Sequence, residues 1–141
     1  MRILVAIDGS EYALRALRFA IAMLAKMPEP RVVALVSVHD DAALRGASHF
    51  VGKTAVDEYL AELAEKDLAA AREIARGSGL PVETIVRTGH VAREIVKAAD
   101  EGGFDILVLG AKGRSGLSDL LVGSVAQRVT SLAQTPVLLV K

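Results

Sequence analysis

The chain has 141 residues, with 17 basic and 17 acidic side chains, no Cys, no Trp and 52% apolar residues. A chain of this length removes roughly 70% of the surface its unfolded form exposes, enough for a core without disulfide or metal staples. The lack of Cys excludes a disulfide framework, a Cys-ligated zinc site, an iron–sulfur cluster and a thiol nucleophile. Zero formal net charge with 4% aromatic residues leaves neither the basic field nor the stacking surfaces of general nucleic-acid binding, so no nucleic-acid partner is expected. Met1 and Arg2 are followed by a short apolar run that ends at Asp8. That run is too short for a signal-peptide core or a membrane span, so a cytoplasmic location without a membrane partner is expected.

In chain order, Ile3 to Ile7 is the first unbroken apolar run and reads as a strand buried on both faces. Ser10 then offers an N-cap to a helix carrying Leu14, Leu17, Ile21 and Leu24 at helical spacing. Val32 to Val38 is the second strand, and Asp40 to Lys53, with Gly46 and Gly52, reads as a loop. Thr54 with Asp57 approximates a capping box for a helix whose stripe is Val56, Tyr59, Leu60 and Leu63, closed by Gly77 and Gly79. Pro81 leads into a third strand, Val82 to Val86, followed by a helix with Val91, Ile95 and Ala99. Ile106 to Leu109 is the fourth strand, Val125, Val129 and Leu132 mark the fourth helix, and Pro136 precedes a final strand, Val137 to Val140. Strict alternation of this kind argues an α/β fold: one domain over residues 1–141, built on an open five-stranded parallel sheet, doubly wound with helices on both faces. Ligands bind such sheets beyond the carboxyl ends of the strands, where the strand order reverses.

The segment with the densest chemistry lies there. Gly110-Ala111-Lys112-Gly113-Arg114-Ser115-Gly116 leaves a buried strand with three glycines, two cations and a hydroxyl. Glycines let backbone N–H groups approach an anion closely, and Lys112 and Arg114 can balance its charge. Gly123 and Ser124 follow just before the last helix, where free N–H groups and the helix dipole favour phosphate. The dipole contributes only about 0.3 to 1 kcal/mol and a charged hydrogen bond roughly 1.5 to 3, so several donors must converge, and this segment supplies them.

The spacing Gly110-x2-Gly113-x9-Gly123-Ser124 resembles the G-2x-G-9x-G-[S/T] signature of the ATP-binding branch of the universal stress protein family. The resemblance extends from Ile3-Leu4-Val5-Ala6-Ile7-Asp8-Gly9-Ser10 through Asp105-Ile106-Leu107-Val108-Leu109-Gly110 to Thr135-Pro136-Val137-Leu138-Leu139-Val140. It implies a Rossmann-like strand order 3-2-1-4-5 and an adenine-nucleotide site, for ATP or AMP with Mg as counter-ion, between the first and fourth strands. The phosphates would lie over Gly110, Gly113, Gly123 and Ser124, Asp8 near the nucleoside or its metal, and backbone groups near Val38 on the adenine edge. It also implies a homodimer formed through Val137 to Val140, and a nucleotide-dependent stress-response switch acting on a protein partner that the sequence does not name. Asp8 has a second reading as a helper of the first helix cap, and Val38 as plain core. Two alternatives stay open: a slow Mg-dependent ATPase or adenylate-transferring enzyme using Asp8, Lys112 and a divalent metal, and a nucleotide-independent dimeric interaction module. No base for an attacking water other than Asp8 can be named, so no catalytic residue is assigned.

Other motifs carry less. Ala47-x4-Gly52-Lys53-Thr54 fits a relaxed Walker A pattern, but it neither follows directly on a strand nor finds a later strand ending in an acid, and a lid over the nucleotide is the expected role. No G-x-G-x-x-G follows the first strand, Arg87 and Thr88 stand where a phosphoacceptor receiver carries Asp, and no Ser-Gly-Gly loop is present. Among the histidines, His39 and His49 read as exposed loop residues and His90 as a turn or cap.

Overall fold

The computed structural model describes residues 1–114 and 122–141. In chain order the elements are β1 (Arg2–Ala6), α1 (Glu11–Leu24), β2 (Val32–His39), α2 (Ala42–Gly46), α3 (Ser48–Val51), α4 (Lys53–Gly77), β3 (Val82–Thr88), α5 (Val91–Glu101), β4 (Ile106–Gly110), α6 (Ser124–Leu132) and β5 (Val137–Val140). The strands form one five-stranded sheet in the order β3-β2-β1-β4-β5, all neighbours parallel, as the alternation and the resemblance led us to expect.

Because side chains alternate along a strand, each central strand feeds two cores. Ile3, Val5, Val33, Leu35 and Val108 face α1 and α4, whereas Leu4, Ala34, Val36, Leu107 and Leu109 face α5 and α6. The continuous apolar runs of β1, β2 and β4 are thus explained, since both of their faces are covered. The edge strands behave differently from the expectation of full burial. β3 is half-exposed along its length and β5 is intermediate at all four positions, because an edge strand lacks a neighbour on one side.

The helices form for local reasons that the sequence partly shows. Ser10 caps α1, its Oγ accepting from the Ala13 N–H at 3.2 Å. His90 caps α5, Nδ1 accepting from the Arg93 N–H at 3.4 Å. The capping box expected at Thr54 and Asp57 is not formed. α4 starts at Lys53 after Gly52, whose φ of 81° turns the chain sharply, and no side chain caps it. Asp57 instead accepts from Arg45 Nη1 at 2.7 Å, tying α2 to α4. The segment read as a loop therefore holds two short helices. On α4 the buried stripe is Val56, Leu60, Ala64, Leu68, Ala71 and Ala75, and Tyr59 lies outside it. On α6 only Ala126 and Val129 are buried, while Val125 and Leu132 face outward.

The approach to β5 is set by Asp100 near the end of α5. Its Oδ1 accepts from the Thr135 N–H at 2.9 Å and the Thr135 hydroxyl at 2.7 Å, and the Gln134 N–H adds a third donor. Burial of the Asp100 carboxyl would raise its pKa, but these hydrogen bonds together outweigh it and hold the group below its usual value. A depressed folded-state pKa contributes stability above the unfolded value and loses it as pH falls through the folded one. Asp100→Asn is therefore expected to lose stability at neutral pH and to flatten the acid limb below about pH 4, read by denaturation midpoints across pH. In the core, Leu35, which is 0% exposed, is expected to cost about 2–5 kcal/mol on truncation to Ala in urea unfolding.

Candidate functional site

β1 lies between β2 and β4, so the strand order reverses beside it. The chain leaves β1 toward α1 on one face and leaves β4 toward α6 on the other, which opens a crevice past the carboxyl ends of the two strands. A cavity of about 330 Å³ occupies it. Asp8, Val38, Gly110, Lys112, Gly113, Arg114, Gly123 and Ser124, each singled out in the sequence, all line this cavity. Ser115 and Gly116 lie outside the described residues.

The cavity has two chemically distinct ends. Ala6, Val36, Val91, Ile95, Leu109 and Ala126 make one wall apolar. Val38 closes it with its backbone. The Ile7 N–H donates to the Val36 carbonyl at 2.8 Å, and residues two apart on a strand direct their peptide groups to the same side. The Val38 N–H and C=O thus face the space past the end of β1, where the chain has already turned away.

The other end is polar and closely built. Asp8 Oδ1 accepts from the Ser10 N–H at 2.9 Å, so the helix-cap role is present, while Oδ2 faces the glycine segment. A Cβ on Gly113 would stand 2.8 Å from that Oδ2, so only glycine leaves the space open. The Gly123 N–H donates to the Ala111 carbonyl at 2.6 Å, clipping the start of α6 onto the end of β4. Gly110 has a packing reason of its own: a Cβ there would meet Tyr12 Cβ at 2.8 Å and the Tyr12 backbone carbon at 2.9 Å, because the first turn of α1 leans directly on it.

The structure brings in two residues that sequence reasoning left out. Asp67, in the middle of α4, has a side chain only 8% exposed and receives a hydrogen bond from Arg114 Nη2. Arg114 also donates from Nε to the Asp8 carbonyl at 2.7 Å, so one guanidinium joins the glycine segment, the β1–α1 turn and α4. His39 is not an exposed loop residue. It ends β2 with a side chain 12% exposed, and its Nε2 lies 3.1 Å from Asp67 Oδ2. The two atoms are close but off the hydrogen-bonding direction, and Nε2 is shielded from water. Gly9 makes room for Asp67: its φ is 81°, and a Cβ would stand 2.7 Å from Oδ1. The missed signal was a carboxylate in register with an apolar stripe, since Asp67 falls between Ala64 and Ala71 at helical spacing.

The relaxed Walker A pattern falls on α3, Gly52 and the start of α4, away from any strand end, and none of its residues lines the cavity. Of the segment expected to act as a lid, only Asp40 reaches the cavity; α2 and α3 sit against α4. His49 is exposed.

A family model described as the universal stress protein family matches residues 1–141. The chain belongs to the universal stress protein family. Universal stress protein YxiE of Bacillus subtilis is 35% identical over 147 residues, covering 99% of this chain and 98% of that one. The solved structure of MJ0577 from Methanocaldococcus jannaschii superposes with a TM-score of 0.86 at 31% identity, over 99% of this chain and 94% of that one. A universal stress protein solved in complex with cAMP has a TM-score of 0.66 and 25% identity, over 100% of this chain and 96% of its own. Membership agrees with the strand order and with the glycine spacing read from the sequence.

The close approach at Gly110 gives a direct check on the site's construction. Gly110→Ala is expected to destabilise this universal stress protein by about 1–3 kcal/mol through overpacking against α1, whereas Gly46→Ala, which meets nothing within 4 Å, does not lower stability. Paired urea unfolding curves of the two variants decide it.

Proposed function

We propose that residues 1–141 form one nucleotide-binding domain that holds an adenine nucleotide, ATP or AMP, and that occupancy acts as a stress-response switch for a protein partner. The observation that carries this reading is the convergence of residues from the β1, β2 and β4 ends and from α6 on one cavity with an apolar slot and a polar, glycine-lined end. A flat base suits the slot, with the Val38 peptide groups on its edge. Phosphates suit the other end, where Gly113 has no side chain, Ser124 opens α6, and Lys112 and Arg114 supply positive charge, while the Gly123 N–H is already given to the Ala111 carbonyl. The cAMP complex of a family member adds support for an adenine nucleotide.

Asp8 Oδ2, facing Gly113, is the carboxylate oxygen that fits a nucleotide-bound Mg ion, which binds through one or two carboxylates plus phosphates. Such an ion would screen the phosphate charge; the side chain's own part is to hold one anionic oxygen at the mouth, fixed by its bond to Ser10. Among the described residues no group of three or more His, Asp or Glu could hold a metal, so the ligand's own oxygens must complete the shell. Among the described residues, too, no helix is long and apolar enough to cross a membrane.

We further propose a homodimer through β5. Among the described residues its outer edge is unpaired within the sheet, and it carries Val137, Leu138, Leu139 and Val140. Such an apolar edge is a liability unless another chain covers it, and a two-fold antiparallel pairing does so. Light scattering is expected to give twice the 14.8 kDa chain mass; a value of 14.8 kDa removes the dimer.

Thermal unfolding of nucleotide-stripped protein tests the binding reading. At a hundredfold excess over Kd, ATP with magnesium stabilises the folded state by about 2.7 kcal/mol. For a domain near this size that is a rise of roughly 5 to 11 °C. Gly113→Val, which fills the space beside Asp8 Oδ2, is expected to keep the fold and lose the rise. A rise of equal size in the variant removes the site assignment, and no rise in either protein removes the nucleotide.

A further inference from the structure

Resting on that nucleotide reading, we propose that Asp67 is an internal anion that competes with the ligand's phosphates for Arg114, and so sets how strongly the site prefers a phosphorylated ligand over the bare nucleoside. Arg114 lines the cavity beside Gly113, yet its guanidinium is turned across the mouth toward protein: Nε to the Asp8 carbonyl at 2.7 Å and Nη2 to Asp67 Oδ2. The planar fork that meets a carboxylate is the same fork that meets a phosphate, so one guanidinium face cannot serve both at full strength. Asp67 is a strong competitor because its carboxylate is 8% exposed and has given up most of its water.

Two further features make the exchange workable. The Arg114 side chain is 55% exposed, so it has solvent-side room to swing toward a ligand oxygen without displacing core. Asp67 is not stranded when it does. His39 Nε2, shielded from water and without a hydrogen-bond partner among the described residues, already stands 3.1 Å from Oδ2, and a small ring rotation aims an Nε2–H at it. Gly9 keeps this arrangement in place, since any side chain there would collide with Asp67 Oδ1. Arg114 straps the glycine segment to α4 and the β1–α1 turn, and the proposed exchange opens that strap as the cation passes to phosphate.

The test is isothermal titration of the full chain with ATP and with adenosine, both with magnesium, for wild type, Asp67→Asn, Arg114→Gln and the double variant. Removing the competing charge is expected to tighten ATP about tenfold, the scale of one charge-assisted hydrogen bond, and to leave adenosine unchanged. Arg114→Gln is expected to weaken ATP selectively and to abolish the gain from Asp67→Asn, as two residues acting on one interaction must. A pair that only braces the fold would instead move both ligands alike, and that result, or a gain that persists without Arg114, overturns the proposal. If Asp67→Asn does not fold, the Arg114 Nε–H resonance of wild type decides: movement with ATP but not adenosine supports the exchange, and no movement with bound ATP overturns it. Wild type that binds neither ligand overturns the nucleotide reading itself, a result distinct from ATP binding that ignores Asp67.

Discussion

The site depends on one pairing, the parallel ladder of Ile3, Leu4 and Val5 with Ile106, Leu107 and Val108. β1 and β4 are distant in sequence, yet side by side they must send their chains to opposite faces, because α1 packs on one and α6 on the other. The gap between the departing chains is the cavity. No loop residue needs to create it, and the loop residues need only furnish it. Both strands are fully covered, and a parallel sheet with its faces covered is held by burial on two sides at once. The crevice thus inherits the rigidity of the best-buried part of the molecule.

What furnishes it is a set of short-range fixtures, each with its own cause. Ser10 and Asp8 organise the β1–α1 turn, Gly123 is clipped to Ala111, and Gly110 admits the first turn of α1. Arg114 then joins this end of the sheet to α4 through Asp67 and the Asp8 carbonyl. Three segments far apart in sequence meet in one guanidinium. Rotamer entropy is a real cost for such a long side chain, and it is offset here by donors that find acceptors on both sides.

Much of this was legible in the residues. The central strands announce themselves as unbroken apolar runs because both faces are buried, and the glycine spacing stands out because small residues recur where a strand ends. β3 is harder to place, since Val82 and Ile85 look like core in the sequence, whereas the strand is an edge and both are only partly buried. α2 and α3 lie in a segment that reads as loop, because helices of five and four residues leave no stripe to detect, and Gly46 and Gly52 look like breakers. His39 and Asp67 were missed for a common reason. A charged or titratable side chain is taken as solvated unless its position in the period is checked, and the partner that makes burial tolerable, Arg114, lies 47 residues from Asp67.

The sheet's two edges differ in kind. β3 exposes Glu83, Thr84, Val86 and Thr88, with Glu83 held by Arg2 and the half-buried Arg87 beside Glu94. β5 presents only Val and Leu. Charge on a rim resists the addition of a foreign strand, and an apolar rim does not. As templates the two edges are therefore unequal: a further strand meets ion-paired charge beside β3 and bare aliphatic side chains beside β5, so one sheet carries one guarded rim and one unguarded rim.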